Sequence, residues 1–225
     1  MNKYLGSIFF LLCCISIHAQ VYDNRVYAPN IRTLRASLVD KDLLDPIIRL
    51  GSDDQLTISF DEMSHNPKYY SYSIIHCNAD WTPSQMMEIE YMKGFNDNEI
   101  EDSERSFNTT FDYIHYWVNI PNENVSPLIS GNYILKVYET EDRENLILTA
   151  RFMVKEENVI GVTGRVKYNT SKGVNKGYQQ LDFEVDFSKT PIANPQEELN
   201  ISIRQNGRRD NEVKGVKPTY IKLNQ

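Results

Sequence analysis

The chain has 225 residues, 40% of them hydrophobic and 11% aromatic, with 31 acidic against 24 basic side chains and a formal charge of −7. That acidic balance, with Lys and Arg scattered along the chain, argues against a nucleic-acid partner or an anionic-membrane footprint, since both need a basic excess. The apolar content is enough for globular domains to be held by hydrophobic burial alone.

Lys3 supplies a positive start, Leu5 to Ile17 form an apolar run, and Ile17-His18-Ala19 before Gln20 is close to the small-residue pattern of a cleavage site. Residues 1–19 are expected to be a signal peptide cut after Ala19. The run falls short of the roughly 20 residues that a membrane-crossing helix needs, and no later segment approaches that length. The mature protein is therefore expected in the periplasm, with no direct membrane insertion. An acyl anchor needs a small residue before the modified cysteine, whereas Leu12 precedes Cys13 and Cys13 precedes Cys14. Cleavage would leave Cys77 as the only cysteine, so no intramolecular disulfide is expected.

The patterns that follow are those of strands. Residues 31–38 alternate, 46–50 are short and apolar, and 55–60 place Leu56, Ile58 and Phe60 on one face. Residues 69–77, 114–120, 133–138 and 146–154 repeat the signature. Turn chemistry separates them at Gly51 to Asp54, Asn66-Pro67, Pro121-Asn122, Ser130 to Asn132 and the charged tip 139–145. About seven strands without a strong helix predict an all-β fold, an immunoglobulin- or fibronectin-like β-sandwich over residues 20–155. Between Trp81 and Ile114 the alternation lapses. Such an excursion in a sandwich either packs down, with Tyr91, Met92, Phe95 and Phe107 as its pins, or binds something.

A polar junction at residues 155–158 introduces a second β series: 159–168, 181–187, 199–204 and 219–223. Residues 156–225 spend roughly 70 positions where a sandwich of this type uses about 100. They are expected to be the start of a second β domain, apparently incomplete.

Candidate chemistry concentrates in His76, Cys77, Asp80 and Trp81. Adjacent residues of a strand point to opposite faces, so His76 and Cys77 cannot share a metal ion without a bulge, and no zinc-ligand spacing surrounds them. No protease signature accompanies Cys77 as a nucleophile. The expectation is a structural corner, with Cys77 as a small buried hydrophobe, His76 hydrogen-bonded at a strand end and Trp81 as an anchor. The oxygen-rich run Asn96 to Asp102 could be a calcium loop, but lacks the glycine of an EF-hand, and a solvated acidic loop is the simpler reading. No phosphate loop, G-x-S-x-G elbow or H-E-x-x-H is present. Catalytic residues, metal ligands and cofactors are accordingly expected to be none.

The segments LTISFDEM, YSYSIIHCNADWTPSQ, EYMKGFNDNEIEDSERSFNTTFDYIHYWVNIPNE, SGNYILKVYE and ARFMVKE, in that order, resemble the N-terminal domain of the type IX secretion system plug protein family. The likeness runs from about Val26 to Lys155. LDFEVDF, NPQEELNISIRQNGRRDN and PTYI resemble the start of the region that follows in that family, whose members continue beyond this chain's last residue. The resemblance implies a non-enzymatic periplasmic component that closes the opening of the giant outer-membrane translocon barrel, its partner. A wide polar lumen would otherwise conduct solutes. Tyr91, Phe95 and Phe107 are the expected contact residues. From another class, Tyr and Trp richness with abundant carboxylates fits a secreted carbohydrate-binding or carbohydrate-active sandwich.

Overall fold

The computed structural model describes residues 21–157, 159–168, 179–208 and 210–222. The expected signal peptide, residues 1–19, lies outside them. In chain order the elements are β1 (Arg25–Val26), β2 (Ile31–Leu38), β3 (Ile47–Arg49), β4 (Leu56–Glu62), β5 (Tyr70–Cys77), α1 (Glu88–Tyr91), β6 (Met92–Gly94), β7 (Asn98–Glu99), β8 (Ser103–Arg105) and β9 (Ile114–Ile120). They continue with β10 (Val125–Pro127), β11 (Gly131–Glu139), β12 (Asp142–Lys155), β13 (Gly161–Tyr168), β14 (Gln179–Asp186), α2 (Pro195–Glu198), β15 (Ser202–Ile203) and β16 (Val213–Lys214).

Two sheets make the sandwich. One runs β2-β4-β9-β8; the other runs β1-β12-β11-β5-β7, with β3 added in parallel to β12. Alternation decides the inner faces. On β9, Ile114, Tyr116, Val118 and Ile120 are buried while His115, Trp117 and Asn119 stay half-exposed. Leu56, Ile58 and Phe60 of β4 lie beside them on the same inner face, and Tyr70, Tyr72 and Ile74 of β5 with Tyr133, Leu135 and Val137 of β11 meet them from the other sheet. The register of β11 on β12 slips after Val137, which pairs with Leu148 while Tyr138 pairs with Leu146. Ile147 is thereby an extra residue in β12, and it and Leu148 are both buried.

Aromatic rings dominate the interior. Phe60 stacks on Tyr116 at 5.3 Å, and Tyr70 stands edge-on to both at 5.4 and 5.1 Å. Each such pair contributes about 0.5–1.5 kcal/mol beyond its buried area. Beside them the Glu62 carboxylate is fully enclosed, accepting from Asn30 Nδ2 at 3.1 Å and Tyr116 Oη at 3.4 Å. A buried polar group of this kind must be hydrogen-bonded to be tolerated.

The long excursion is woven into the sheets rather than left irregular. β7 pairs with β5, β8 extends the opposite sheet on β9, and β6 forms a ribbon with β10. Strands of two or three residues are too short to show alternation, which is why the sequence pattern lapses there. Gly94 makes the ribbon possible: at φ +102° it brings its Cα so near Asn124 that an added Cβ would lie 1.9 Å from that carbonyl oxygen.

Past residue 156 the expected strands are met in part. β13 and β14 form an antiparallel hairpin close to the predicted limits, but 199–204 contracts to the two residues of β15, paired with β16. Residues 219–222 form no strand. Their patterns carry β character without a neighbouring ladder among the described residues to complete it, so the expectation of strands there is corrected.

Candidate functional site

β5 ends at the corner that the sequence singled out, and its last two residues part as the pleat requires. His76 turns to the inner side, its ring 5.1 Å from that of Tyr133 and 6.0 Å from that of Tyr91. Cys77 turns outward into a second, smaller apolar cluster with Tyr22, Trp81 and Ile134, against which Ile75 and Met153 pack. That cluster explains why β5 and β11 are buried on both faces. Burial holds the His76 imidazole below its usual range, opposed by a backbone hydrogen bond with Ser130. Burial also pushes the Cys77 thiol up to about 11. Facing opposite sides of the sheet, the imidazole and the thiol do not share a site.

The chain reverses tightly between them and residue 84. Asn78 N–H donates to Thr82 O at 2.8 Å, Trp81 N–H to Asn78 O at 2.9 Å and Ser84 N–H to His76 O at 2.9 Å. Asp80 is exposed and serves the turn: its Oδ1 accepts from Thr82 N–H at 3.0 Å and Thr82 Oγ1 at 2.6 Å, and these hydrogen bonds hold its carboxyl below the usual carboxylate range. Trp81 occupies the left-handed region, φ +68°, an uncommon place for a bulky residue. Its ring is 7% exposed and lies beneath the Arg151 guanidinium at 4.3 Å. Arg151 binds three ways at once, with Nε donating to Tyr22 O at 2.7 Å and Nη1 3.2 Å from Asp23 Oδ1. The N-terminal segment is thus strapped over the outer face of the sheet. A buried Trp81 offers no open ring face for stacking on a sugar.

The three expected contact residues separate in space and in exposure. Tyr91 is buried, its hydroxyl donating to Ile74 O at 3.3 Å and its backbone carbonyl accepting from Tyr133 Oη at 3.0 Å. Its place among the surface contacts is corrected: α1 turns its ring into the core, where burial pushes the phenol up to about 12. Phe95 is 76% exposed, next to the β6–β10 ribbon, and Phe107 is 92% exposed in the turn between β8 and β9. Those two hang from different sheets. The sequence reading overlooked Met87 and Ile89, 64% and 79% exposed around α1, and Phe111 at 71% near Phe107. Apolar residues lying where alternation lapses are the signal that could have found them.

The oxygen-rich run is engaged in holding the excursion down. Asn96 Oδ1 accepts from Ile74 N–H at 2.7 Å while its Nδ2 donates to Glu88 Oε1 at 2.7 Å, and Asp97 meets both Tyr138 and Arg143. His65 and His115 pair separately, with Asp112 at 2.8 Å and Asp61 at 2.6 Å. Among the described residues no three His, Cys, Asp or Glu side chains converge as a metal cage.

A crystal structure of a hypothetical protein from Parabacteroides merdae superposes on the chain with a TM-score of 0.86 and 36% identity, over 91% of this chain and 51% of that one. The chain therefore spans about half the length of that relative. An alkylpurine DNA glycosylase of Pseudomonas fluorescens (11% identity, 56% of this chain and 30% of that one, TM-score 0.28) and a Niemann-Pick type C2 protein of the Japanese carpenter ant (14%, 62% and 99%, TM-score 0.32) overlap too poorly for anything to be read across. No curated protein matches. Residues 31–156, more than half of the chain, match the type 9 secretion system plug protein 1st domain, and the chain belongs to that family.

Proposed function

We propose that the protein is a non-enzymatic periplasmic part of the type IX secretion system, closing the periplasmic mouth of the outer-membrane translocon barrel by protein–protein contact. The observation that carries this reading is the family match over residues 31–156, most of the first sandwich. The physical case is supportive. A body with two sheets closed over an aromatic core keeps its shape under load, as an occluding part must, and packed interiors deform little. Phe95 and Phe107, with Met87 and Ile89 nearby in sequence, provide exposed apolar side chains of the kind that anchor interfaces. Tyr91 serves by holding α1 in place.

The test is permeability. Deleting the complete gene should let bulky antibiotics cross the outer membrane, and the leak should vanish when the barrel gene is deleted as well. Unchanged permeability in the single deletion, or an equal leak in the double, refutes the closure. Phe95→Ser with Phe107→Ser tests the surface: folded variant that still copurifies with the barrel places the contact elsewhere.

A further inference from the structure

One end of the first sandwich displays aromatic rings on two loops that leave the same sheet side by side. Glu62 at the end of β4 pairs with Ile114 at the start of β9, so the loops 63–69 and 106–113 emerge together. A hydrogen bond ties them, with His65 Nδ1 donating to Asp112 Oδ2 at 2.8 Å. On the first loop Tyr69 is 77% exposed and Met63 39%; on the second Phe107 is 92% exposed and Phe111 71%. β11 also ends here, where Glu139 pairs with Tyr70, and β12 runs away from this end toward Lys155.

The second loop is built to hold its rings out. Ser106 N–H donates to Tyr113 O at 2.9 Å and Tyr113 N–H to Ser106 Oγ at 3.0 Å, which closes the base, while Thr109 Oγ1 donates to Phe111 O at 2.8 Å within the tip. Asn108 takes the left-handed region at φ +56°, which asparagine tolerates. Between Arg105 and Asp112 the run is uncharged. A tip with charges only at its base, and with backbone groups partly met from within, suits a medium that supplies few hydrogen bonds. A protein partner is a poorer match, because such an interface engages about 20–30 residues a side and the apolar part here is a pair of loop tips.

We propose that this end of the sandwich seats on a zwitterionic phospholipid surface, with Phe107 and Phe111 entering the headgroup layer and Tyr69 lying at its level. Phenylalanine buries apolar area at such a boundary, and tyrosine keeps its hydroxyl wet. The charge pattern selects the lipid. Lys68 is paired with Glu139 at 2.7 Å, and the adjoining hairpin tip adds Glu141, Asp142 and Glu144 against Arg143, which itself meets Asp97. That negative surplus repels an anionic surface, so apolar burial carries the contact. Rings enter and nothing crosses, which narrows the expectation of no direct membrane insertion. The contact rests on the two loops and not on the closure of a translocon; at a barrel mouth Phe107 would face the surrounding lipid and leave Phe95 to the protein.

Flotation of the chain from Gln20 onward with phosphatidylcholine vesicles, at millimolar lipid, is the experiment. Binding is expected, equal at low and high salt, and weaker when phosphatidylglycerol replaces part of the lipid. Phe107→Ser with Phe111→Ser should lower the partition coefficient by at least about tenfold. Phe95→Ser, which removes a ring 76% exposed elsewhere on the sandwich, should leave it unchanged. Depth is read separately: the indole added by Phe107→Trp should be quenched by phosphatidylcholine brominated in its acyl chains, and that added by Phe95→Trp should not. Should the double serine variant fail to fold, the quenching alone decides. The proposal is overturned if the unsubstituted chain does not float, if flotation survives the double substitution, or if it occurs only on anionic vesicles and is lost in salt. Loss of barrel copurification in the double variant, with vesicle binding unchanged, would make the tip a protein contact and overturns it equally.

Discussion

Replacing Trp81 by alanine should destabilise the first sandwich strongly although the residue sits in a turn outside the main core. The ring is 7% exposed among Tyr22, Cys77 and Ile134, and such a truncation costs about 3–5 kcal/mol. The Arg151 guanidinium at 4.3 Å adds a cation–π term of about 0.5–2 kcal/mol, toward the upper end because that side chain is only 11% exposed. Arg151 keeps its contacts with Tyr22 and Asp23, so the substitution leaves no buried charge unpaired. The sum, about 4–7 kcal/mol, corresponds to a fall of about 2–3.5 M in the urea midpoint at a slope of about 2 kcal/mol per molar. Circular dichroism follows the transition without relying on the removed fluorophore. Trp81→Gly provides a second reading, because the left-handed backbone at φ +68° penalises any Cβ by about 1–2 kcal/mol. The glycine variant should therefore be no less stable than the alanine variant despite losing one carbon more. A loss below about 1.5 kcal/mol for Trp81→Ala, or a glycine variant clearly worse, would refute the argument.

Exposed Phe95 gives the contrast: Phe95→Ser should change stability by no more than about 0.5 kcal/mol, read in the same urea titration. Cys77→Ser should cost about 1–3 kcal/mol by placing a hydroxyl among apolar neighbours, and the native thiol, buried and pushed up to about 11, should react with Ellman's reagent only on unfolding. Gly94→Ala should lose several kcal/mol or fail to fold, since its Cβ would meet backbone rather than a yielding side chain; a soluble variant with a native melting curve would contradict the ribbon geometry. Asp54 is held well below the usual carboxylate range by hydrogen bonds from Arg49, the nearer at 2.6 Å. A depressed folded-state value means that its contribution is complete above about pH 4, where the unfolded carboxylate is ionised, and is lost as the pH falls through the folded value. Asp54→Asn should cost about 0.5–1 kcal/mol at pH 7 and progressively less as the pH falls below about 4, which a pH series of urea midpoints measures.

Long strands were legible from period two alone. β9 falls within the expected limits, and β2, β4 and β5 lie within two residues of them, because one face of each is apolar over enough positions for the alternation to register. The separation of His76 from Cys77 followed from the same pleat. What the sequence could not disclose is tertiary. Nothing local announces that Asn98 and Glu99 pair with β5, or that Tyr91 turns inward while Phe95, four residues on, turns out. Both depend on the way a four-residue helix docks, and a single helical turn has too few positions for a face to be read. Tyr22 and Arg151 were silent for another reason. Their meeting is a contact across the length of the domain, with Arg151 Nε reaching the carbonyl of a residue 129 positions earlier.

That strap bears on the order in which the sandwich can close. Tyr22, Asp23 and Asn24 find their partners on β12, with Thr149 Oγ1 donating to Asp23 O across 126 positions and Asn24 Oδ1 accepting from Arg151 N–H. A chain that emerges from its N-terminus onward therefore carries its first segment unfixed until almost the whole domain has followed. Loops of that size cost more entropy to close than the local hairpin of β11 and β12, so the hairpin can assemble first and the beginning of the chain last. The clasp works like the final stitch of a seam: the first residues out are the last to be tied, and until residue 151 is available the Trp81 corner has nothing above it to shut.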